Sequence, residues 1–141
     1  MKKTLTILIA LLLLIGEQSW AEDKDFTLTV VIKNFKNTDG NARVAFFDSE
    51  ENFLKNGEGR VVEIEDKSEV KVIFDNVNEG TYAVSIIHDE NGNGDLDTAV
   101  FGIPTEDYGF SNDAKGMFGP PSFEDCKFDF TEDKTIVINI N

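Results

Sequence analysis

Residues 81–97, TYAVSIIHDENGNGDLD, combine the two patterns on which the interpretation of this chain depends. The first seven residues alternate, with Tyr82, Val84 and Ile86 on one face, as in a half-buried β-strand. The next ten residues carry an oxygen-bearing side chain at nearly every second position. A strand therefore ends in a turn that is either solvated or folded around a cation.

Six further segments show the same alternation, and most of them are separated by Gly, Asn or Asp. These segments are residues 26–33, 42–48, 60–65, 70–75, 126–130 and 135–140. Seven short strands joined by turns predict an all-β fold, a seven-stranded antiparallel β-sandwich of the Ig-like type. One short helix is predicted in DSEENFL at residues 48–54, where Asp48 and Glu51 have the spacing of a capping box.

The segment between residues 97 and 122 shows no strand or helix pattern. Loops of that length are uncommon in compact domains and are usually either functional or mobile. This segment carries too much apolar surface for a solvated tether, so we predict an ordered loop that folds back on the sandwich. Its aromatic residues either form a cleft for a sugar or a peptide, or plug the open end of the sandwich as a second core. The residues concerned are Tyr108, Phe110 and Phe118.

The first 21 residues, MKKTLTILIALLLLIGEQSWA, have the pattern of a secretory signal peptide. Two lysines precede a short apolar run, and small residues flank Trp20 before the expected cleavage after Ala21. The apolar run is shorter than the ~20 residues that a membrane anchor requires. We therefore predict signal peptide 1–21 and a single domain, 22–141, that is periplasmic or secreted and is not inserted in the membrane after cleavage.

The chain is strongly acidic, with 27 Asp and Glu residues, 13 Lys and Arg residues and a net charge of −14. Removal of residues 1–21 takes away two lysines and one glutamate, so the net charge becomes −15. Such a surface repels phosphate backbones and anionic lipids, which argues against nucleic-acid and membrane-surface partners. It favours cations, although acidity also keeps an exported protein soluble.

Cys126 is the only cysteine, so the domain cannot contain an internal disulfide. In FEDCKFDF it alternates with Phe128 and Phe130, which predicts a thiol buried on the core face of a strand. A buried thiol of this kind is unreactive, and the alternative is a reactive or intermolecular one.

Residues 89–97, DENGNGDLD, follow the spacing of the calcium-binding loop D-x-[DN]-x-[DN]-G, with Gly94 at the sixth position, where the chain turns sharply. Hard oxygen donors at alternate positions suit calcium, whereas zinc prefers His or Cys. At position 7 the ligand is the backbone carbonyl. The alternative is a metal-free turn rich in Asn and Gly. The predicted ligands at positions 1, 3, 5, 7 and 9 are Asp89, Asn91, Asn93, Asp95 and Asp97.

The loop departs from an EF-hand at position 12, where Val100 stands in place of the bidentate glutamate, and a strand precedes it in place of a helix. The missing oxygens must come from the long loop, which offers Glu106, Asp107, Asn112 and Asp113. We add Asp107 and Asp113 to the predicted ligands. With two or three carboxylates the expected affinity is weak, about 10⁻⁴ to 10⁻³ M. The ion would then pin the long loop to the end of the sandwich.

His88 is the only histidine and continues the face of Tyr82 and Ile86. A histidine in that position is usually a packed structural residue. No G-x-S-x-G motif and no Ser/His/Asp spacing accompanies it. We therefore predict a non-enzymatic protein that engages an unidentified protein or glycan of the cell envelope or the extracellular space. The alternative is a hydrolase that uses carboxylates around His88.

The chain also resembles a bacterial family of small exported proteins, catalogued as domain of unknown function 2141. The resemblance is densest between residues 80 and 130 and extends over essentially the whole of residues 22–141. It implies kinship with transthyretin-like and carboxypeptidase-regulatory-like β-sandwiches, and it implies no activity. The matching motifs are G-T-Y-A-V at 80–84, H-D-x-N-x-N-G at 88–94, F-G-I-P at 101–104, Y-G-F-S-N at 108–112 and G-P-P-S-F at 119–123.

Overall fold

A computed structural model describes residues 24–141, so the predicted signal peptide lies outside the described residues. No helix between residues 24 and 141 is long and apolar enough to cross a membrane. The described chain has a single short α-helix, α1 (Phe123–Cys126), and 3₁₀ turns at Val100–Gly102 and Ser111–Asp113. Its eight strands are β1 (Asp25–Lys33), β2 (Asn41–Phe47), β3 (Glu58–Glu63), β4 (Glu69–Asn78), β5 (Gly80–Asp89), β6 (Tyr108–Phe110), β7 (Phe128–Phe130) and β8 (Lys134–Asn139).

The strands form two sheets that enclose one core. The first sheet has the order β4-β1-β8, in which β1 pairs antiparallel with β4 and parallel with β8. The second sheet has the order β3-β2-β5-β6 with antiparallel pairing throughout, and β7 pairs with the start of β5. The predicted all-β class is therefore confirmed. The prediction of a wholly antiparallel fold is wrong for β1 and β8.

Most of the core consists of alternate side chains from the predicted segments, and Phe35 and Val77, which lie outside those segments, are buried with them. Leu28 and Ile32 of β1 are fully buried in a cluster that includes residues of both sheets. Phe46 of β2 makes edge-to-face contacts with Phe74 of β4 and Tyr82 of β5, with ring centroids 4.9 and 5.4 Å apart. Because Phe74 belongs to the first sheet, this aromatic group joins the two layers. Burial of one such ring contributes about 1.5–3 kcal/mol.

The structure contains eight strands where seven were predicted. All seven predicted segments contain a strand, and the eighth, β6, lies within the long segment 97–122. It pairs with β5, and backbone hydrogen bonds also join Tyr108 and Asn141 in both directions. The buried Ser111 hydroxyl, next along the chain, accepts from the Val84 N–H at 2.9 Å and donates to the Cys126 carbonyl at 2.6 Å. The long loop therefore folds back on the second sheet, as predicted.

The predicted helix is wrong in position. Residues 48–56 form turns and bends, in which the Asn52 amide donates to the Asp48 carboxylate at 2.8 Å and Leu54 takes a φ of +58°. The capping box lies at the start of α1, where the Ser122 hydroxyl accepts from the Asp125 N–H and the Asp125 carboxylate accepts from the Ser122 N–H. Helix α1 therefore includes Cys126, the first residue of the segment 126–130 that was predicted as a strand, and β7 begins two residues later.

A second, smaller cluster covers part of the outer face of the second sheet. Ala83, Phe110 and Cys126 are buried there, with Phe53 and Phe123 packed against them. The prediction of a buried thiol is confirmed, although Cys126 lies on α1 and not on a strand. Burial, followed by the negative charge of Asp125, raises the pKa of this thiol to about 11. The thiolate, which is the reactive form, is thus suppressed at neutral pH.

Candidate metal site

The acidic loop begins at the last residue of β5, Asp89, which is fully buried. A tight turn between β1 and β2 packs against it. Gly40 of that turn has a φ of +64°, and a Cβ atom there would lie 1.9 Å from the Asp89 carbonyl oxygen. Only glycine permits this approach. On the same turn, Asn37 donates to the Glu90 carboxylate at 3.2 Å, so the turn between β1 and β2 supports the start of the loop.

The Asp89 carboxylate folds the loop around itself. Its Oδ1 accepts from the Asn93 N–H at 3.1 Å, and its Oδ2 accepts from the Gly94 N–H at 2.9 Å. Gly94 takes a φ of +91°, as expected at the sixth position of a calcium loop. The Arg43 guanidinium lies 3.6 Å from Oδ2. These partners offset the cost of burying the carboxylate.

The side chains at loop positions 3, 5 and 9 converge on one another. The Asn93 amide donates to Asp97 Oδ1 at 2.9 Å, and the Asn91 amide donates to Asp97 Oδ2. The amide oxygens accept from the N–H groups of Asn93 and Asp95, at 3.0 and 2.9 Å. The NH₂ groups of both amides are therefore directed at the Asp97 carboxylate. Rotation of both amides by half a turn would present two oxygens to Asp97 in their place.

Glu106 joins the two ends of the loop. Its side chain is buried, and its Oε1 accepts from the Glu90 N–H at 2.8 Å while its Oε2 accepts from the Asp97 N–H at 3.0 Å. The sequence marked Glu106 as a possible metal ligand. In the structure its oxygens are directed at backbone donors, so it positions the loop.

The two other acids of the predicted set are bonded to groups outside residues 89–97. Asp107 lies 2.6 Å from the Lys36 ammonium, and the hydrogen bond to Asp107 and its charge raise the pKa of Lys36. Asp113 accepts from the N–H and the side-chain amide of Asn139, at 2.8 and 2.9 Å. Asn112, also considered as a ligand, donates to two backbone carbonyls around the end of α1. The structure thus gathers only the predicted residues that belong to the loop.

Within residues 24–141, no three His, Cys, Asp or Glu side chains are grouped so as to hold a metal ion by themselves. A cation at this loop would therefore need amide, backbone and water oxygens in addition to Asp89 and Asp97. Calcium accepts such mixed oxygen sets, with six to eight ligands in flexible geometry. The side chain of Asp95 is exposed, which agrees with a position that would bind through its carbonyl.

His88 is fully buried and serves the packing of the loop. Its Nε2 lies 2.9 Å from the Asp39 carbonyl oxygen, so Nε2 carries the proton and donates it. Its ring packs edge-to-face on Phe35, with centroids 5.2 Å apart. The backbone N–H of His88 donates to the Asp107 carbonyl at 2.9 Å. The ring is therefore enclosed by the protein, and the hydrolase alternative stays a hypothesis.

Residues 30–138 match the family described as "Uncharacterized protein conserved in bacteria (DUF2141)". The chain belongs to this family. No curated protein and no solved structure matches it. The match begins within β1 and ends within β8, so the DUF2141 region includes the acidic loop and the long segment that follows it. Kinship with transthyretin-like sandwiches stays a prediction.

Proposed function

We propose that this DUF2141 protein is a non-enzymatic, exported β-domain that binds calcium weakly at residues 89–97 and engages another component of the cell envelope or the extracellular space. One observation carries the calcium proposal. The loop is already wrapped around Asp89 through two backbone N–H groups, with the side chains at positions 3, 5 and 9 turned toward a common point. The backbone of the loop then needs little rearrangement for binding, whereas the Asn91 and Asn93 amides must rotate.

The loop supplies the oxygens that calcium prefers. Rotation of the Asn91 and Asn93 amides exchanges two NH₂ groups for two oxygens beside the Asp97 carboxylate, at the cost of the two backbone bonds that those oxygens now accept. The Asp95 carbonyl and water complete the set. The set includes only two carboxylates, and the charge of Asp89 is partly offset by Arg43, 3.6 Å away, which supports a weak affinity of about 10⁻⁴ to 10⁻³ M.

Export is supported by the sequence of residues 1–21, with its lysines, its short apolar run and its small residues before the expected cleavage. The free calcium of extracellular compartments suits a site of this affinity class. The net charge of −14 also disfavours nucleic acid as the partner.

Calcium titration of matched variants tests the proposal. Asp97→Asn keeps the size and one acceptor oxygen of a proposed ligand, whereas Asp95→Asn makes the same charge change on an exposed side chain two residues away. By isothermal titration calorimetry we expect Asp97→Asn to bind calcium about tenfold more weakly than the unmodified protein, and Asp95→Asn to bind within about twofold of it.

Thermal unfolding provides the second measurement. Calcium at about 10 mM should stabilise the protein by about 1–3 kcal/mol if the dissociation constant lies in the expected range. Superimposable melting curves in calcium and in chelator would refute calcium binding. If Asp95→Asn and Asp97→Asn weakened calcium affinity equally, calcium binding would depend on the overall charge of the loop and not on Asp97 as a ligand.

A further inference from the structure

A cleft of about 880 Å³ lies over the outer face of the second sheet. Its floor includes side chains of β2, β5 and β6 that point away from the core, among them Ala45, Ile87 and Tyr108. One wall is residues 96–104, here named the arm, and the other is residues 116–120, named the strap. The volume is in the range of small-molecule sites, about 300–1,000 Å³.

The arm is a built structure and not a loose tether. The Ala99 N–H donates to the Ile103 carbonyl at 2.7 Å, and the Thr105 N–H donates to the Asp97 carbonyl at 2.8 Å. At its tip Phe101 has a φ of +65°, an unfavourable conformation for a residue with a side chain. The arm therefore carries Phe101 at the edge of the cleft on a hydrogen-bonded backbone.

The apolar tips of both walls are left open to solvent. Phe101 is 96% exposed, Phe118 of the strap is 98% exposed and Met117 is 88% exposed. Of the aromatic residues that the sequence suggested as a plug, Phe110 is buried in the smaller cluster and Tyr108 packs against that cluster. Phe118 is exposed and belongs to neither of the two clusters. Exposed apolar side chains that line one cleft over a largely apolar floor indicate a surface that an apolar ligand covers.

The charge of the cleft is unlike that of the rest of the chain. None of the Asp and Glu residues between 24 and 141 lines it, although the protein carries a net charge of −14. Lys55 is the only lining side chain that is charged at neutral pH, and within the described residues no acid lies within ion-pair distance of it. The side-chain hydroxyls that line the cleft, those of Ser85, Thr98 and Tyr108, are too few to satisfy a glycan.

We propose that this cleft binds an amphiphile with an elongated apolar body and one carboxylate, the chemistry of a long-chain fatty acid. The apolar body lies between the arm and the strap, and the carboxylate lies at Lys55. The proposal does not depend on calcium, so its binding experiments are carried out in chelator.

Calorimetric titration with dodecanoate, below its micellar concentration, tests the proposal. Dodecanol and dodecyltrimethylammonium have the same chain with a neutral and a cationic head. We expect dodecanoate to bind most tightly and the cationic amphiphile most weakly. Lys55→Ala should weaken dodecanoate binding about two- to fivefold, as for an exposed ion pair, and leave dodecanol unchanged. No binding of dodecanoate, or tighter binding of the cationic amphiphile, would overturn the proposal.

A second pair of variants tests the location. Phe101 and Phe118 are nearly fully exposed, so changing both to Ser leaves the fold intact and should weaken dodecanoate and dodecanol about tenfold or more. Ile73→Ser, on the exposed face of β4 in the other sheet, is the control and should bind as the unmodified protein does. Equal binding by all variants would mean adventitious association. A dimer that dissociates in Phe118→Ser would make a second copy the occupant, and would also overturn the proposal.

Discussion

Replacement of Glu106 should loosen the acidic loop at its base. The carboxylate is buried and accepts two backbone N–H groups, from Glu90 at 2.8 Å and from Asp97 at 3.0 Å. Each hydrogen bond to a charged acceptor contributes about 1.5–3 kcal/mol. Both N–H donors lie near the surface, where water can bond to them once the carboxylate is removed. The lower value, about 1.5 kcal/mol, therefore applies to each hydrogen bond. Glu106→Ala should therefore lower the free energy of unfolding by about 3 kcal/mol.

The conservative variant separates hydrogen bonding from packing. Glu106→Gln keeps the volume and one acceptor oxygen, but its NH₂ group faces an N–H donor, so it should lose about 1.5 kcal/mol. Glu132→Gln, an exposed glutamate after β7, is the control and should change the free energy of unfolding by less than about 0.5 kcal/mol.

Urea denaturation followed by circular dichroism measures these differences, and hydrogen exchange locates them. The amides of Glu90 and Asp97 should lose protection in Glu106→Gln, while amides in the middle of β5 keep theirs under native conditions. If Glu106→Ala unfolds at the same urea concentration as the unmodified protein, the two hydrogen bonds do not hold the loop. The same holds if both amides already exchange freely in the unmodified protein.

The remaining predictions concern the buried thiol and the turn beneath the loop. Burial raises the pKa of Cys126 to about 11, above the value of about 8.5 in an unfolded chain. Between these values the unfolded state loses the thiol proton first, so stability falls as pH rises. From pH 7 to about pH 10 the Cys126→Ala variant should lose about 2 kcal/mol less than the unmodified protein, as measured by urea denaturation. Equal losses in the two proteins would refute the shifted pKa. Gly40→Ala should cost about 2 kcal/mol or more, because the new Cβ would meet the Asp89 carbonyl at 1.9 Å. Gly102→Ala, at a φ of +73° with no atom within 4 Å, should cost only about 1 kcal/mol, and similar costs for both would show that contact with Asp89 is unimportant.

Most of the fold could be predicted because its long strands alternate cleanly. β6 was missed because it has three residues with glycine in the middle, too short for a period of two to appear. β1 and β8 are far apart in the sequence, and the alternation of residues within each strand does not show which strands pair or in which direction. Their parallel pairing could therefore not be predicted. The helix was misplaced because two segments carry a capping pattern. The helix forms at the second of these segments, residues 122–126, where Phe123 and Cys126 pack into the smaller cluster.

For the site, the conformation of the loop itself could be predicted, and its surroundings could not. The turn at Gly94 and the wrapping around Asp89 follow from residue types within a few positions. The partners of Asp107 and Asp113 are Lys36 and Asn139, which are distant in the chain and become neighbours only when strand ends from both sheets meet. Candidate ligands that lie outside one loop therefore require the tertiary structure.

The pairing of β1 with β8 has a consequence for how the protein forms. Its partners are about a hundred positions apart, as in the Leu28 and Lys134 pair, and the Thr27 N–H likewise bonds the Asp133 carboxylate across 106 residues. The first sheet cannot close until nearly all of the described chain has been synthesised. Topologies dominated by such distant pairings fold slowly, typically in milliseconds to seconds. Until residues 134–139 of a nascent chain have been made, the edge of β1 that faces β8 therefore has no strand partner.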